Sequence, residues 1–284
     1  MKLSKIFALL LALCLISSAA CAATFTDAHG NVIELDDSLE AYAAVTLVGA
    51  DNAARQGETN LGDLWADALR WFAVSGEINA AFDEDDVKAG NDRIAVDADH
   101  VVALWNGGNL RADIAEGTFG AEALAEVLPF PNKVAVVYMT GAQLLETLEA
   151  ASQGLPYTAE TADACASLMQ VSGLTYTVDT TKAYDALEAY GDHWFTAGSV
   201  SRVRIDDVNG QPFDAEATYA VVTSNANFNG MDSSYVLKAA AEANEQSAVT
   251  TAVVRDVVFR FIAAELNHQV GEAYDAPQGR LTIL

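Results

Sequence analysis

Positive charge is what this chain has least of. Fifteen Lys and Arg stand against 40 Asp and Glu, a formal net charge of −25. A basic face able to neutralise phosphates along a nucleic acid is excluded, and so is attachment to an anionic membrane surface. Histidine is scarcer still. His29, His100, His193 and His268 are isolated, and no Cys or His cluster has metal-ligand spacing. There are three cysteines, Cys14, Cys21 and Cys165. Apolar runs long enough to span a bilayer are lacking outside the N-terminus. No internal repeat and no long linker interrupts the chain.

The N-terminus reads as a secretory signal. Lys2 and Lys5 give a basic start, residues 6–16 form an apolar stretch too short for a comfortable transmembrane helix, and Ala20-Cys21-Ala22 fits a cleavage site before Ala23. The expected protein is therefore exported, periplasmic or extracellular. A membrane anchor and a lipoprotein attached through Cys21 are the alternatives, although Ser18 stands where lipid-attachment sites usually carry leucine. Cleavage before Ala23 leaves Cys165 alone, so no internal disulfide is possible. The 51% of hydrophobic residues must hold the fold by their core, as one large or two small ones.

Local patterns divide the chain into a leader at 1–22, an N-terminal hairpin or extension at 23–48 and a main domain at 49–284. Gly30-Asn31 is a turn signal between β-like stretches. Asp27-Ala28-His29-Gly30 resembles the first metal-binding motif of metallophosphatases, but the later Asn/His motifs are missing and a turn is the simpler reading. Residues 60–72 place Leu61, Leu64, Trp65, Ala68, Leu69 and Phe72 at helical spacing after a Thr59 or Asn60 cap. The acidic run Asp83-Glu84-Asp85-Asp86 lacks the glycine and terminal glutamate of a calcium loop, so residues 75–99 read as a solvated surface excursion. Strands are expected at 101–105, 134–139, 174–178, 200–205 and 219–223. Helices are expected at 121–127, after Thr140, and at 249–266, with an irregular stretch at 184–199. Mixed elements without strict alternation indicate a mixed α/β or α+β domain.

One segment stands out chemically. A buried-looking strand runs into Asn106-Gly107-Gly108-Asn109-Leu110-Arg111. Paired glycines let backbone N–H groups approach an anion, and an arginine supplies a planar cation suited to phosphate or carboxylate. A strand end with a special backbone conformation would select the same glycines. With arginine so scarce, Arg55, Arg70 and Arg111 are the candidates for a local anion site.

Five segments in order carry a resemblance: Arg55-Gln56-Gly57-Glu58-Thr59-Asn60-Leu61-Gly62-Asp63-Leu64; Trp105 through Asp113-Ile114; Val127-Leu128-Pro129-Phe130-Pro131-Asn132; Met169-Gln170-Val171-Ser172-Gly173-Leu174; and Thr223-Ser224-Asn225-Ala226-Asn227-Phe228-Asn229-Gly230-Met231-Asp232. Together, from about residue 50 to the end, they resemble the C-terminal, substrate-binding domain of the 5′-nucleotidase family. The resemblance implies a single domain of mixed sheets and packed helices. In that family an N-terminal metallophosphatase domain holds two divalent metal ions and performs hydrolysis, while the C-terminal domain binds the nucleotide. The resemblance therefore implies no cofactor in this chain, and no hydrolytic activity for this chain alone.

Carried over by position, the implied substrate-binding residues are Arg55, Asn106, Gly107, Gly108, Asn109, Arg111, Phe228 and Asp232. Arg55 and Arg111 would face phosphate or ribose, and Asp232 matches the acid of the family's Gly-Gly-Asp-Gly-Tyr loop. Here that loop reads Gly230-Met231-Asp232-Ser233-Ser234-Tyr235, one residue longer and two glycines poorer. The family's two base-stacking phenylalanines align near Val171 and Ala226. If the stretch around Ala226 is extended, Phe228 projects to the same face and replaces the missing ring; otherwise it is core.

Three readings follow. The first is an exported domain that binds a nucleotide, nucleoside or sugar nucleotide, or forms the substrate half of a split phosphohydrolase with a separately encoded metallophosphatase. The second is an interaction or structural module that has kept the fold and lost the ligand. The third is a hydrolase with an unrecognised site.

Overall fold

The computed structural model describes residues 23–26, 32–35, 40–190 and 194–284. The leader, the Asp27-Ala28-His29-Gly30 motif, the Gly30-Asn31 turn and His193 lie outside the described residues. Strands β1 (Ala23–Thr26) and β2 (Val32–Leu35) pair antiparallel, from Ala23 with Leu35 to Thr26 with Val32. This pair belongs to a unit that ends at Ser38, and a second compact unit begins at Leu39. Residues 41–47, expected in the N-terminal extension, are instead built into the second unit. There β3 (Ala41–Ala43) joins a three-stranded sheet and Leu47 bridges Ile114.

The second unit continues with α1 (Ala53–Gln56), α2 (Asn60–Val74), α3 (Glu84–Ala89), β4 (Val101–Asn106), β5 (Gly117–Phe119) and α4 (Ala121–Val127). Next come β6 (Lys133–Thr140), α5 (Gly141–Ala151), β7 (Met169–Ser172), β8 (Leu174–Val178), β9 (Ala186–Tyr190), β10 (Trp194–Ala197) and β11 (Val203–Val208). It closes with β12 (Thr218–Ser224), α6 (Asn225–Phe228), α7 (Tyr235–Ala243), β13 (Ala248–Val253), α8 (Val254–Ala264), β14 (Gln269–Val270) and β15 (Leu281–Ile283).

The central sheet has the order β13-β6-β12-β4-β7, with β12 parallel to β4 and the other pairs antiparallel. Its inner strands read as unbroken apolar runs because both faces are covered. Val101, Ala103 and Trp105 of β4 enter one core, which includes Trp65 and Phe72 of α2 and Val258 and Ile262 of α8. Val102 and Leu104 enter the other, with Leu144 and Leu148 of α5 and Leu237 of α7. Trp65 and Trp105 meet in the first core with ring centroids 6.1 Å apart. Two smaller sheets flank this body, β11-β8-β15 and β14-β3-β5.

Local chemistry sets the helix ends. Thr59 caps α2 by accepting from the Gly62 N–H at 3.0 Å. Thr140 and Gln143 form a capping box on α5. The acidic run expected as a loop becomes the start of α3. The Asp83 carboxylate caps the N–H groups of Asp85 and Asp86 at 2.9 Å each, and the following acids sit at the positive end of the helix dipole.

Two expectations about secondary structure are corrected. Residues 249–253 are strand β13 rather than the first turns of a helix. Their β-branched Val249-Thr250-Thr251 run suits the pleated edge, and the Thr250 hydroxyl bonds the Val134 carbonyl at 2.9 Å. The stretch 184–199, expected to be irregular, contains the antiparallel pair β9 and β10.

A 3₁₀ turn at residues 107–109 ends β4 and packs directly on α1. A Cβ on Gly107 would lie 1.9 Å from the Ala54 carbonyl oxygen, and one on Gly108 would lie 2.6 Å from Ala166 Cβ. These glycines are fixed by close approach of the protein's own backbone.

Trp65→Ala is expected to cost ~3–5 kcal/mol in denaturant unfolding, because a fully buried aromatic leaves a cavity. Gly107→Ala should cost ~1–3 kcal/mol or more through overpacking against backbone. Gly57→Ala, where an added Cβ meets nothing within 4 Å, should leave the midpoint nearly unchanged.

Candidate functional site

The end of β4 brings the sequence-predicted polar residues together. Asn106 is fully buried. Its Nδ2 donates to Asp232 Oδ2 at 2.6 Å, and its Oδ1 accepts from Asn109 Nδ2 at 2.9 Å. An amide chain thus runs from Asn109 through Asn106 to Asp232. Burial pushes the Asp232 carboxyl above its ordinary range, while the nearby positive charges of Arg55 and Arg111 oppose the shift. Asp232 thus lies within electrostatic range of both Arg55 and Arg111.

Each arginine is held differently. Arg55, at the end of α1, is 8% exposed, and its Nη1 donates to the Ala162 carbonyl at 3.0 Å, with Asp163 at 3.8 Å. Its loop is clamped by Gln170 of β7. Gln170 Nε2 donates to the carbonyls of Ala54 and Gly57 at 3.0 and 2.9 Å, and its Oε1 accepts from the Thr59 N–H at 3.0 Å. Arg111 is exposed. Its backbone N–H bonds the Val127 carbonyl at 2.9 Å, and its guanidinium carbon lies 5.8 Å from the Phe130 ring centroid. Among the described residues, no carboxylate forms a salt bridge with Arg111. Arg70, the third candidate, faces elsewhere and bonds the carbonyls of Val101 and Ala98 at 2.9 and 3.2 Å.

Asp232 sits on a strained loop. Asp232 and Ser233 adopt φ of 51° and 59°, a left-handed pair at non-glycine positions. The loop is pinned by Asn227, whose Nδ2 donates to Ser234 Oγ at 2.9 Å, and by a hydrogen bond from Gln153 to the Ser233 hydroxyl. Phe228 does not share a face with Ala226. Residues 225–228 form the helical turn α6, which sets the two about 200° apart, and Phe228 packs half-buried against the second core. Val171, aligned with a stacking position, is 2% exposed inside the same core.

Phe130, named in the sequence only as part of the Val127-Leu128-Pro129-Phe130-Pro131-Asn132 segment, was not among the expected site residues. Phe130 is 43% exposed and lies beside Arg111. The signal was present: an aromatic between two prolines has little company to bury it. Gln170 was also missed, although a glutamine inside an apolar strand implies backbone groups in need of a partner.

The assembled groups can bind an anion through two guanidiniums, accept hydrogen bonds at a carboxylate, and present a ring next to Arg111. They do not make a metal centre. Among the described residues, no group of three or more His, Cys, Asp or Glu is arranged to hold an ion.

The family description "5′-nucleotidase, C-terminal domain" matches residues 40–239. The trifunctional nucleotide phosphoesterase protein YfkN of Bacillus subtilis is 28% identical over 188 residues, 65% of this chain and 10% of that protein. A 5′-nucleotidase precursor from Thermus thermophilus superposes with a TM-score of 0.61 at 29% identity, covering 86% of this chain and 39% of that one. The NAD nucleotidase of Haemophilus influenzae shares the fold at a TM-score of 0.56 and 16% identity, over 86% of this chain and 38% of its own. The chain thus spans well under half the length of each relative. It belongs to the 5′-nucleotidase C-terminal domain family.

Proposed function

We propose that this chain binds a nucleotide, nucleoside or sugar nucleotide at the end of β4, and that it serves as the substrate-binding half of a phosphohydrolase whose metal centre resides on another polypeptide. The observation carrying this reading is the convergence of Arg55, Arg111 and Asp232 around Asn106, beside the exposed Phe130 ring. Arg111 and Arg55 take the phosphate. Asp232, held by Asn106, accepts from the sugar hydroxyls. Phe130 supplies one stacking face for the base. The basic, apolar and small-residue pattern of residues 1–22 supports export.

Hydrolysis of a phosphate ester is among the slowest uncatalysed reactions, with enzymic accelerations reaching ~10²¹. A separate metallophosphatase supplies that chemistry in this proposal, and the present chain supplies capture and orientation. A second reading keeps the fold as an interaction module without ligand. It is favoured by Val171 and Ala226, which lack the aromatic rings the family places there, and by the longer loop at Asp232.

Calorimetry with nucleoside monophosphates, nucleosides and UDP-sugars separates the two. Saturable binding is expected. Arg111→Ala should weaken phosphate-bearing ligands by ~1.5–3 kcal/mol, about tenfold to over a hundredfold. Phe130→Ala should cost ~1–3 kcal/mol for any base. Absence of heat at millimolar concentrations of every ligand would sink the binding reading and leave the module. Affinity should also fall on acidification as Asp232, raised above the usual carboxylate range, takes up a proton and ceases to accept. Asp232→Asn should flatten that dependence in the same titration.

A further inference from the structure

A second polar cluster, away from the ligand site, lies at the start of α2. Asp63 is fully buried. Its Oδ2 accepts from the Gln278 N–H at 3.0 Å. Glu58, in the turn before the helix, uses Oε2 to accept from the Leu281 N–H at 3.0 Å. Each acid thereby holds the backbone of the segment that leads into β15. The second oxygen of each is different. Asp63 Oδ1 and Glu58 Oε1 are both buried and have no hydrogen-bond partner, and Glu58 is the neighbouring acid that acts on the Asp63 carboxyl.

Two facing, buried carboxylates repel unless something positive lies between them. Arg280 is the nearest cation, its Nε 3.8 Å from Asp63 Oδ1, but its guanidinium is already committed. Nη2 bonds Asp67 Oδ2 at 2.8 Å and Gln278 Oε1 at 2.7 Å, and Nη1 bonds the Val171 carbonyl at 2.7 Å. Two acids, Asp63 and Asp67, therefore share one guanidinium, and Glu58 stands beside them. The other titratable groups packed around them are also occupied. Tyr274, between β14 and β15, donates to Asp67 Oδ2 at 2.9 Å, and Tyr176 of β8 donates to the Met169 carbonyl at 2.7 Å. Arg70 on α2 bonds the carbonyls of Val101 and Ala98. None of these donates to the two orphaned oxygens.

We propose that Asp63 keeps its proton at neutral pH and donates it to Glu58, forming an acid-to-carboxylate hydrogen bond that fastens the turn before α2 to the segment entering β15, and that this bond opens in alkaline solution. Burial, reinforced by the Glu58 charge and opposed by Arg280, pushes the Asp63 carboxyl up to about 8, in agreement with the geometry. The sign of the linkage follows. A group whose folded-state pKa is raised lends its full stability below the usual carboxylate range. It loses that stability as the pH rises through the folded value. Loss of the proton leaves facing carboxylates whose backbone partners, Gln278 and Leu281, lead β15 into its pairing with β8.

The test is equilibrium denaturation of the full chain from about pH 5 to about pH 9, for wild type, Asp63→Asn and Glu58→Gln, with infrared spectra at each pH. One proton taken up on folding makes the wild-type folding constant fall by up to about tenfold per pH unit relative to Asp63→Asn. The asparagine amide donates to Glu58 without a proton, so that variant loses the slope, as does Glu58→Gln. A protonated carboxylic-acid carbonyl band should be present in wild type at neutral pH, vanish in alkali and be missing from Asp63→Asn. Parallel pH profiles in wild type and Asp63→Asn, with no such band, would overturn the proposal. So would a stability that responds to calcium or chelator in wild type alone, which assigns the gap to a metal ion. If Asp63→Asn fails to fold, Glu58→Gln and the wild-type infrared titration decide. None of these readouts needs a ligand, so failure here is distinct from failure of the nucleotide reading.

Discussion

Burial of β4 on both faces is the constraint from which the arrangement of the domain follows. Val101, Ala103 and Trp105 point into one core, and Val102 and Leu104 into the other. No polar side chain fits along the strand until its last residue. There Asn106, still fully buried, requires partners for its amide and finds them in Asn109 and Asp232. The same termination brings the 107–109 turn against α1 and against residues 164–167. The candidate site is thus the place where an otherwise apolar sheet first has polar groups to satisfy.

Scarce positive charge makes the position of each arginine informative. Arg202 is nearly buried, and its Nη1 and Nη2 bond the carbonyls of Ser152 and Leu155 just past the end of α5. Its backbone N–H and that of Val203 are taken by the buried Glu149 carboxylate. Arg280 is committed to Asp67, Gln278 and Val171. These two hold the fold together. Arg111, by contrast, reaches across Phe130 into solvent, and Arg55 holds only a backbone carbonyl at 3.0 Å with Asp163 more distant. In a chain with so strong a negative balance, the proposed ligand site rests on these two lightly neutralised cations.

The parts of the fold legible in the sequence are those fixed by local chemistry. Thr59 and Thr140 announce their helices because a cap acts within one turn. The run at 101–105 announces a doubly buried strand because its character depends on burial rather than on a named partner. Residues 249–253 misled because valine spacing suits either a helix face or a strand, and only pairing with β6 decides between them. The glycines at 107 and 108 read as a cradle for a ligand, yet their immediate neighbours are Ala54 and Ala166. Phe228 was open between a stacking ring and core for a related reason: the direction of a side chain depends on whether its segment is helix, edge or core. The Glu58–Asp63 pair could not be read at all, since its partners Gln278 and Leu281 lie more than two hundred residues along the chain.

The two flanking sheets are each closed by a strand from near the end of the domain pairing with one made much earlier. Tyr42 of β3 pairs with Gln269 of β14, and Tyr176 of β8 pairs with Leu281 of β15. Both pairings are parallel, so neither can form from a simple hairpin. During synthesis the earlier strand of each pair waits with an open edge until nearly all of the domain has been made. Such non-local closure slows folding and leaves β3 and β8 available to the wrong neighbours in the meantime. Vectorial delivery from the N-terminus, by ribosome or by translocation pore, therefore produces this domain in one late step, with its final strands acting as the clasp.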